Sequence, residues 1–240
     1  MPDAELAVDL SIVIPAFNEG SNLAVVVEET VRRLDETRDT SAYELIIVDD
    51  GSTDDTALIA DNLATLHPRV KVARHAKNLG FGAALRSGFA CSTGEFVTVI
   101  PADGEVRIDE ALKLFSLAHQ ADLVVSSRVR SHSTPLYRAL MTAAFHWFQK
   151  TLLRFDPSGM EGIFVARRAV LEATPVRSST GLFQFELFMR CSQRGRTIRH
   201  GVVRITPRLG GQSKVTNLPA LLKTFFELWA LRWRVARNVE

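Results

Sequence analysis

The sequence predicts an α/β fold with a mainly parallel sheet, and three observations support this prediction. Short apolar, β-branched runs alternate along the chain with amphipathic stretches of helical period. Polar clusters stand directly after several of these runs, where the carboxyl ends of parallel strands meet. With 46% hydrophobic residues, the 240 residues can enclose a substantial core. Together they indicate a Rossmann-like sheet with helices on both faces.

Each element follows from its local pattern. The first run, LSIVIP, is apolar, β-branched and ended by proline, as expected of a buried strand. Strands are predicted by the same reasoning at residues 10–15, 44–48, 70–73, 96–100, 122–126, 163–165 and 202–206. Helices are predicted between and after them at residues 22–36, 55–66, 80–90, 109–120, 136–153, 180–193 and 218–235.

The last predicted helix differs from the others in composition, since aromatic and basic residues dominate it. These are Phe225, Phe226, Trp229 and Trp233, beside Arg232, Arg234 and Arg237. We expect residues 1–215 to form the main domain and residues 216–240 a C-terminal amphipathic helix. Such a helix suits a membrane surface, and it equally suits packing against its own domain or a second subunit of a homo-oligomer.

Composition restricts the class of protein. A net charge of +2 does not indicate a nucleic-acid partner. Basic residues do dominate from Arg190 to Arg237, which favours anionic partners such as diphosphates or lipid headgroups. Cys91 and Cys191 are far apart and form no metal or disulfide motif. With no signal-peptide pattern and no long apolar run, we expect a cytoplasmic protein that is soluble or peripheral on the membrane face.

Three polar clusters follow predicted strands. They are Asn18 with Glu19, Asp49 with Asp50, and Asp103 with Glu105. Any one of them could be a helix cap, because Asn and Asp are favoured at that position. Three clusters at the same edge of a sheet indicate a ligand site instead.

The chemistry of the third cluster suits a divalent cation. Asp103 and Glu105 flank one glycine, so both carboxylates can converge on Mg²⁺ or Mn²⁺ while diphosphate oxygens complete its shell. Cationic side chains would stabilise a leaving nucleotide diphosphate. Lys77 and Arg128 are candidates, and the glycine-containing run from Arg208 to Lys214 is the most specific of them.

Read in order, these motifs resemble those of family 2 glycosyltransferases of the dolichyl-phosphate mannose synthase type. The resemblance covers about residues 10–214 and is specific as a series. Its segments are Ile14-Pro-Ala-Phe-Asn-Glu19, Ile47-Val-Asp-Asp-Gly-Ser-Thr-Asp54, Lys77-Asn-Leu-Gly-Phe-Gly82, Ala102-Asp-Gly-Glu105, Ser126-Ser-Arg128, Phe183-Gln-Phe-Glu186 and Arg208 to Lys214.

The resemblance implies a GT-A fold and an inverting glycosyltransferase that uses a nucleotide diphosphate sugar, a divalent cation and a polyprenyl phosphate acceptor at the cytoplasmic membrane face. It implies a base and ribose site at Pro15, Phe17, Glu19, Val48 and Asp50, approached by Lys77. It assigns the metal and donor to Ala102, Asp103 and Glu105, and the diphosphate or acceptor phosphate to Arg128, Arg208 and Lys214.

Two departures from the family pattern concern the metal and the acceptor. Pro101 stands where the family has the first acid of its Asp-x-Asp element, and we expect the carboxylate of Glu105 to compensate for it. Residues 156–164 follow the family's acceptor segment only loosely. A catalytically silent, donor-binding homologue is therefore a second hypothesis.

The acceptor decides whether a base is needed. An acceptor phosphate is already ionised and needs alignment rather than a base, whereas a hydroxyl acceptor needs one. Glu186 is the candidate for that role, although it could equally be a partner of the helix dipole. A sugar nucleotidyltransferase would carry a glycine-rich basic loop after the first strand, where this chain has Ala16-Phe-Asn-Glu19.

Overall fold

A computed structural model describes residues 8–37, 42–130, 150–210 and 218–236 of the chain. The strands are β1 Leu10–Ala16, β2 Tyr43–Asp49, β3 Val70–Arg74, β4 Phe96–Val99, β5 Leu123–Arg130, β6 Phe164–Arg167 and β7 Ile198–Ile205. The helices are α1 Leu23–Glu36, α2 Thr56–Leu66, α3 Phe81–Cys91, α4 Ile108–Ala118, α5 Arg168–Glu172, α6 Leu182–Gln193 and α7 Leu218–Ala236.

The strands form one sheet in the order β3-β2-β1-β4-β6-β5-β7. Strand β1 pairs in parallel with β2 and β4, β2 pairs in parallel with β3, and β5 pairs in parallel with β7. Strand β6 runs antiparallel to its neighbours β4 and β5. The predicted mainly parallel sheet is confirmed, and every described strand except β6 ends at the same edge.

Helices cover both faces of the sheet because β1 and β2 are apolar on both sides. Ile12 and Ile47 belong to a core beneath α1, α2 and α4, whereas Val13 and Ile46 belong to a second core beneath α3 and α6. Helix α3 lies so close to β1 that a Cβ on Gly88 would come within 2.3 Å of Val13. The long apolar strands thus produce a three-layer α/β domain.

Several element boundaries differ from the prediction. Strands β5 and β7 are longer than expected, because they pair in register over eight residues from Leu123–Ile198 to Arg130–Ile205. The short helix α5 had no clear periodic signal and was not expected. Of the helix predicted at residues 136–153, only residues 150–153 are described, and they are helical.

The C-terminal helix α7 packs on the domain through one face. Leu228 and Leu231 are fully buried in a cluster with Leu182, Phe185 and Met189 of α6. Within the part of the chain that the structure describes, no helix is both long and apolar enough to cross a membrane.

Candidate active site

The carboxyl ends of β1 and β2 are joined by hydrogen bonds between the loops that follow them. The Asn18 N–H donates to Ser52 Oγ over 2.9 Å, and the Thr53 N–H donates to Asn18 Oδ1 over 2.8 Å. The Glu19 N–H donates to Thr56 Oγ1 over 2.8 Å. Asn18 has a φ of 51°, a left-handed conformation that asparagine tolerates. The loop that carries Asn18 and Glu19 and the loop that follows the Asp49–Asp50 cluster are therefore joined into one rim.

The predicted base and ribose residues of this rim differ in accessibility. Pro15, Phe17 and Glu19 are partly exposed, and Glu19 Oε2 accepts a 2.8 Å hydrogen bond from the Asn22 amide. Val48 is fully buried in the core beneath α3, so it can reach a ligand only through its backbone.

Asp50 lies at the same rim, and protein donors surround its carboxylate. It accepts hydrogen bonds from the backbone N–H groups of Leu79 and Gly80, both 2.9 Å long, and it lies 2.7 Å from the ring of His75. Asp50 thus holds the loop after β3 against the end of β2.

The same loop brings Lys77 to the rim. Gly51 has a φ of 70°, and a Cβ there would lie 2.3 Å from the Lys77 carbonyl carbon. Only glycine permits this close approach. The Lys77 side chain itself is exposed.

The third cluster is organised around Arg208, which follows β7. Arg208 Nη2 donates to Asp103 Oδ2 over 2.6 Å, and Arg208 Nε donates to Glu105 Oε1 over 3.1 Å. The backbone of the same segment holds the loop, since the Leu209 N–H donates to the Asp103 carbonyl and the Thr206 N–H to the Glu105 carbonyl. One guanidinium therefore holds both predicted metal ligands.

Burial and charge act in opposite directions on Asp103. Burial raises its pKa, whereas the Glu105 N–H and the positive charges of Arg208 and Arg128 lower it, and the net shift is upward. Ala102 is buried in the core beneath α1, so it can contribute to a donor site only through its backbone.

The carboxylate oxygens of this cluster fit a hard divalent cation that also coordinates oxygens of a bound substrate. Asp103 and Glu105 supply carboxylate oxygens, and no cluster of three or more His, Cys, Asp or Glu suited to a metal occurs among the described residues. Mg²⁺ is commonly held by one or two carboxylates together with substrate phosphates and water. The residues present fit that arrangement.

The structure describes one of the two remaining predicted cations. Arg128 is exposed on β5, near enough to Asp103 to affect its pKa. Lys214 lies outside the described residues. Sequence reasoning missed His75 and Asn22, and the only available signal was their position next to predicted polar loops.

Glu186 lies in a buried polar network instead of an open site. Its side chain has no exposed surface, and it accepts hydrogen bonds from the Ser178 N–H and hydroxyl. Arg190 forms an ion pair with it at 2.9 Å and Arg234 of α7 one at 3.4 Å. A carboxylate enclosed in this way cannot take a proton from an acceptor, so we do not retain Glu186 as a base.

A mainly parallel sheet whose carboxyl edge gathers carboxylates, cations and glycine turns is the framework of a GT-A glycosyltransferase. The chain belongs to the glycosyl transferase family 2, whose model matches residues 11–173. The family predicted from the sequence is thereby confirmed.

Individual relatives agree with this membership. A dolichyl-phosphate beta-glucosyltransferase of Trichomonas vaginalis is 33% identical over 57% of this chain and 44% of its own length. An uncharacterized glycosyltransferase of Mycobacterium bovis is 28% identical over 92% of this chain and 96% of its own length. The chain spans about half the length of the dolichyl-phosphate relatives that it matches.

A solved structure confirms the GT-A fold. Glucosyl-3-phosphoglycerate synthase from Mycobacterium tuberculosis, in complex with Mn²⁺, UDP and phosphoglyceric acid, matches with a TM-score of 0.66 at 20% identity. The match covers 94% of this chain and 78% of that chain.

Proposed function

We propose that the protein is an inverting glycosyltransferase that transfers a sugar from a nucleotide diphosphate donor to a polyprenyl phosphate. The observation that carries the proposal is the meeting of Asp103, Glu105 and Arg208 at the carboxyl edge of the sheet. Two carboxylates and a guanidinium provide what a diphosphate and its counter-cation need at one place.

The donor occupies the rim from its base to its diphosphate. In this proposal Pro15, Phe17, Glu19 and Asp50, with the backbone of Val48, receive the base and ribose, and Lys77 approaches the phosphates. Asp103 and Glu105, with the backbone of Ala102, hold the donor end, where bound Mg²⁺ or Mn²⁺ supplies positive charge to the leaving diphosphate. The solved neighbour binds Mn²⁺ and UDP, which supports a divalent cation and a nucleotide diphosphate as ligands of this fold.

The transfer needs little proton chemistry. A phosphate oxygen of the acceptor forms a bond to the anomeric carbon while the bond from that carbon to the diphosphate oxygen breaks, which inverts the configuration. Three cationic side chains align the acceptor phosphate with the donor diphosphate and stabilise the charge on the leaving group, namely Arg128, Arg208 and Lys214. A buried Glu186 is compatible with this chemistry, because an ionised acceptor phosphate needs no general base.

The names of the relatives support a polyprenyl phosphate acceptor, since three of them are dolichyl-phosphate beta-glucosyltransferases. The solved neighbour binds phosphoglyceric acid, so a small phosphorylated acceptor is the second candidate. Both acceptors share an ionised phosphate, and a direct comparison separates them.

Helix α7 would bring the site to a membrane surface at the cytoplasmic face. Phe225, Phe226, Trp229 and Trp233 are exposed on the side of α7 that does not pack on the domain. Aromatic side chains of this kind prefer the headgroup region of a bilayer. The same face would suit contact with a second subunit. A vesicle-binding assay distinguishes this contact from binding to a membrane.

A transfer assay tests the proposal. Purified protein is incubated with Mn²⁺, each of UDP-glucose, UDP-galactose and GDP-mannose in radiolabelled form, and either a polyprenyl phosphate or 3-phosphoglycerate. We expect label in the polyprenyl fraction with at least one donor, and its loss in Asp103→Ala. Donor binding without transfer to either acceptor would favour the silent homologue.

A further inference from the structure

Asp50, His75 and Ser87 form a hydrogen-bonded chain between the end of β2 and helix α3. His75 Nδ1 lies 2.7 Å from Asp50 Oδ1, and His75 Nε2 lies 2.8 Å from Ser87 Oγ. A carboxylate only accepts hydrogen bonds, so Nδ1 carries a hydrogen toward Asp50, and Nε2 pairs with the Ser87 hydroxyl. The side chains of His75 and Asp50 are only 10% and 5% exposed. The ring is therefore fixed at both ends inside the protein.

The Asp50 carboxylate of this hydrogen-bonded series also holds the loop that carries Lys77. The Leu79 N–H donates to Oδ1 and the Gly80 N–H donates to Oδ2. The His75 N–H donates to the Asp49 carbonyl over 2.9 Å. Three backbone bonds and one ring thus set the position of residues 75–80 relative to the end of β2.

We propose that His75 is a positioning residue for donor binding, a role that rests on the proposed function. His75 orients the Asp50 carboxylate and fixes the 75–80 loop, so that Asp50 and Lys77 meet the nucleotide in the arrangement seen here. The reaction itself occurs at the anomeric carbon, beside Asp103 and Glu105. Loss of His75 should therefore weaken donor binding and leave the transfer step nearly unchanged.

The magnitude follows from the bonds that the ring makes. Without the ring, the Asp50 carboxylate keeps the Leu79 and Gly80 N–H groups and loses one of its three protein hydrogen bonds. Losing a hydrogen bond to a charged group shifts an equilibrium by about tenfold. We expect KM for the donor to rise about tenfold in His75→Ala, and kcat to change by less than about threefold.

Three variants and one control separate positioning from general damage. His75→Asn retains a donor toward Asp50 and should recover most of the donor affinity. Ser87→Ala removes only the hydrogen bond between Ser87 and the His75 ring. We expect it to raise KM for the donor about twofold to threefold, because one neutral hydrogen bond is lost. The control is His67→Asn, because His67 precedes the amino end of the same strand β3, opposite the site.

The experiment measures kcat and KM for the nucleotide sugar that wild-type protein uses best, with Mn²⁺ present and thermal melting recorded for each variant. A raised KM in His75→Ala, partial rescue by His75→Asn, and no further effect of Ser87→Ala in the His75→Ala background would support the proposal. An unchanged KM in folded His75→Ala, or a fall in kcat alone, would overturn it.

If His75→Ala does not fold, His75→Asn and Ser87→Ala decide the question. The proposal is overturned if KM for the donor in Ser87→Ala equals that of wild type and if His75→Asn and His67→Asn raise this KM equally. Failure of the proposed function has a different signature. In that case wild-type protein itself neither binds nor turns over any of the nucleotide sugars.

Discussion

Replacing Arg208 by glutamine should raise the affinity of the donor-free protein for Mn²⁺ while it lowers the affinity for the donor. In the structure the guanidinium occupies the carboxylate oxygens of Asp103 and Glu105 at 2.6 and 3.1 Å. A divalent cation needs the same oxygens, so Arg208 and the metal compete for them. In the proposed donor complex, the diphosphate oxygens give Arg208 a new partner, and the competition ends.

The size of the effect follows from the exposure of the two ion pairs. The Arg208 side chain is 24% exposed, Asp103 11% and Glu105 30%, so solvent screens the pairs in part. The two bonds from Arg208 together contribute about 1.4 kcal/mol, near the lower end for hydrogen bonds to charged groups. Their loss should raise the affinity for Mn²⁺ about tenfold. Donor affinity with Mn²⁺ present should fall by a similar factor, about tenfold, because the diphosphate loses a cation.

Free Mn²⁺ measured by electron paramagnetic resonance gives the metal affinity without any turnover. Arg199→Gln is the matched control, because Arg199 is an exposed arginine on β7 and its loss changes the net charge equally. An unchanged or lower Mn²⁺ affinity in Arg208→Gln, relative to this control, would refute the competition and leave Arg208 as a structural clamp.

Three other predictions follow from the site and from α7. Asp103→Ala should abolish transfer and lower the melting temperature by only a few degrees, since a carboxylate at the edge of the sheet is not part of the apolar core; activity in a folded variant would remove Asp103 from the site. Glu105→Gln should weaken Mn²⁺ and donor binding, because Glu105 is the only other carboxylate of this element; wild-type binding would contradict the idea that it compensates for Pro101. Trp229→Ser with Trp233→Ser should release the protein from anionic vesicles in co-sedimentation; wild-type protein that ignores such vesicles would favour a subunit contact.

The docking of α7 should depend on pH through Glu227. Burial raises the pKa of this carboxyl, but hydrogen bonds from the N–H and hydroxyl groups of Ser179 and Thr180 lower it further, and the net shift is downward from 4.5. Its stabilising contribution is therefore complete above pH 4.5 and is lost as the pH falls through the lowered value. Two of the three tryptophans lie on α7, so their fluorescence should report this loss, and Glu227→Gln should remove the transition.

Much of the fold could be predicted from the sequence, because it depends on local patterns. Apolar runs fixed the strands to within a few residues, and the polar residues after them marked the edge of the sheet that carries the site. The direction of β6 could not be predicted, since a four-residue buried strand is apolar whichever way it runs. The full length of β5 and β7 depends on their mutual pairing, which local patterns do not record.

The contacts of the site residues were harder to predict, because they join distant parts of the chain. Arg208 was identified as a cation for the diphosphate, but its contact with Asp103 spans 105 positions. Glu186 was predicted to be a base or a partner of the helix dipole, and Arg234 to be part of a basic amphipathic helix, whereas the two side chains form an ion pair at 3.4 Å. Helical periodicity shows which residues share a face and not what that face packs against.

The central claim is that the carboxyl edge binds a nucleotide diphosphate sugar through a cation held by Asp103. Isothermal titration of the nucleotide sugars into wild-type protein and Asp103→Ala, each with and without Mn²⁺, tests it most directly. The account predicts binding of at least one donor that requires Mn²⁺ and is lost in Asp103→Ala. Donor binding that is equally strong without Mn²⁺, or that persists in a folded Asp103→Ala variant, would contradict it.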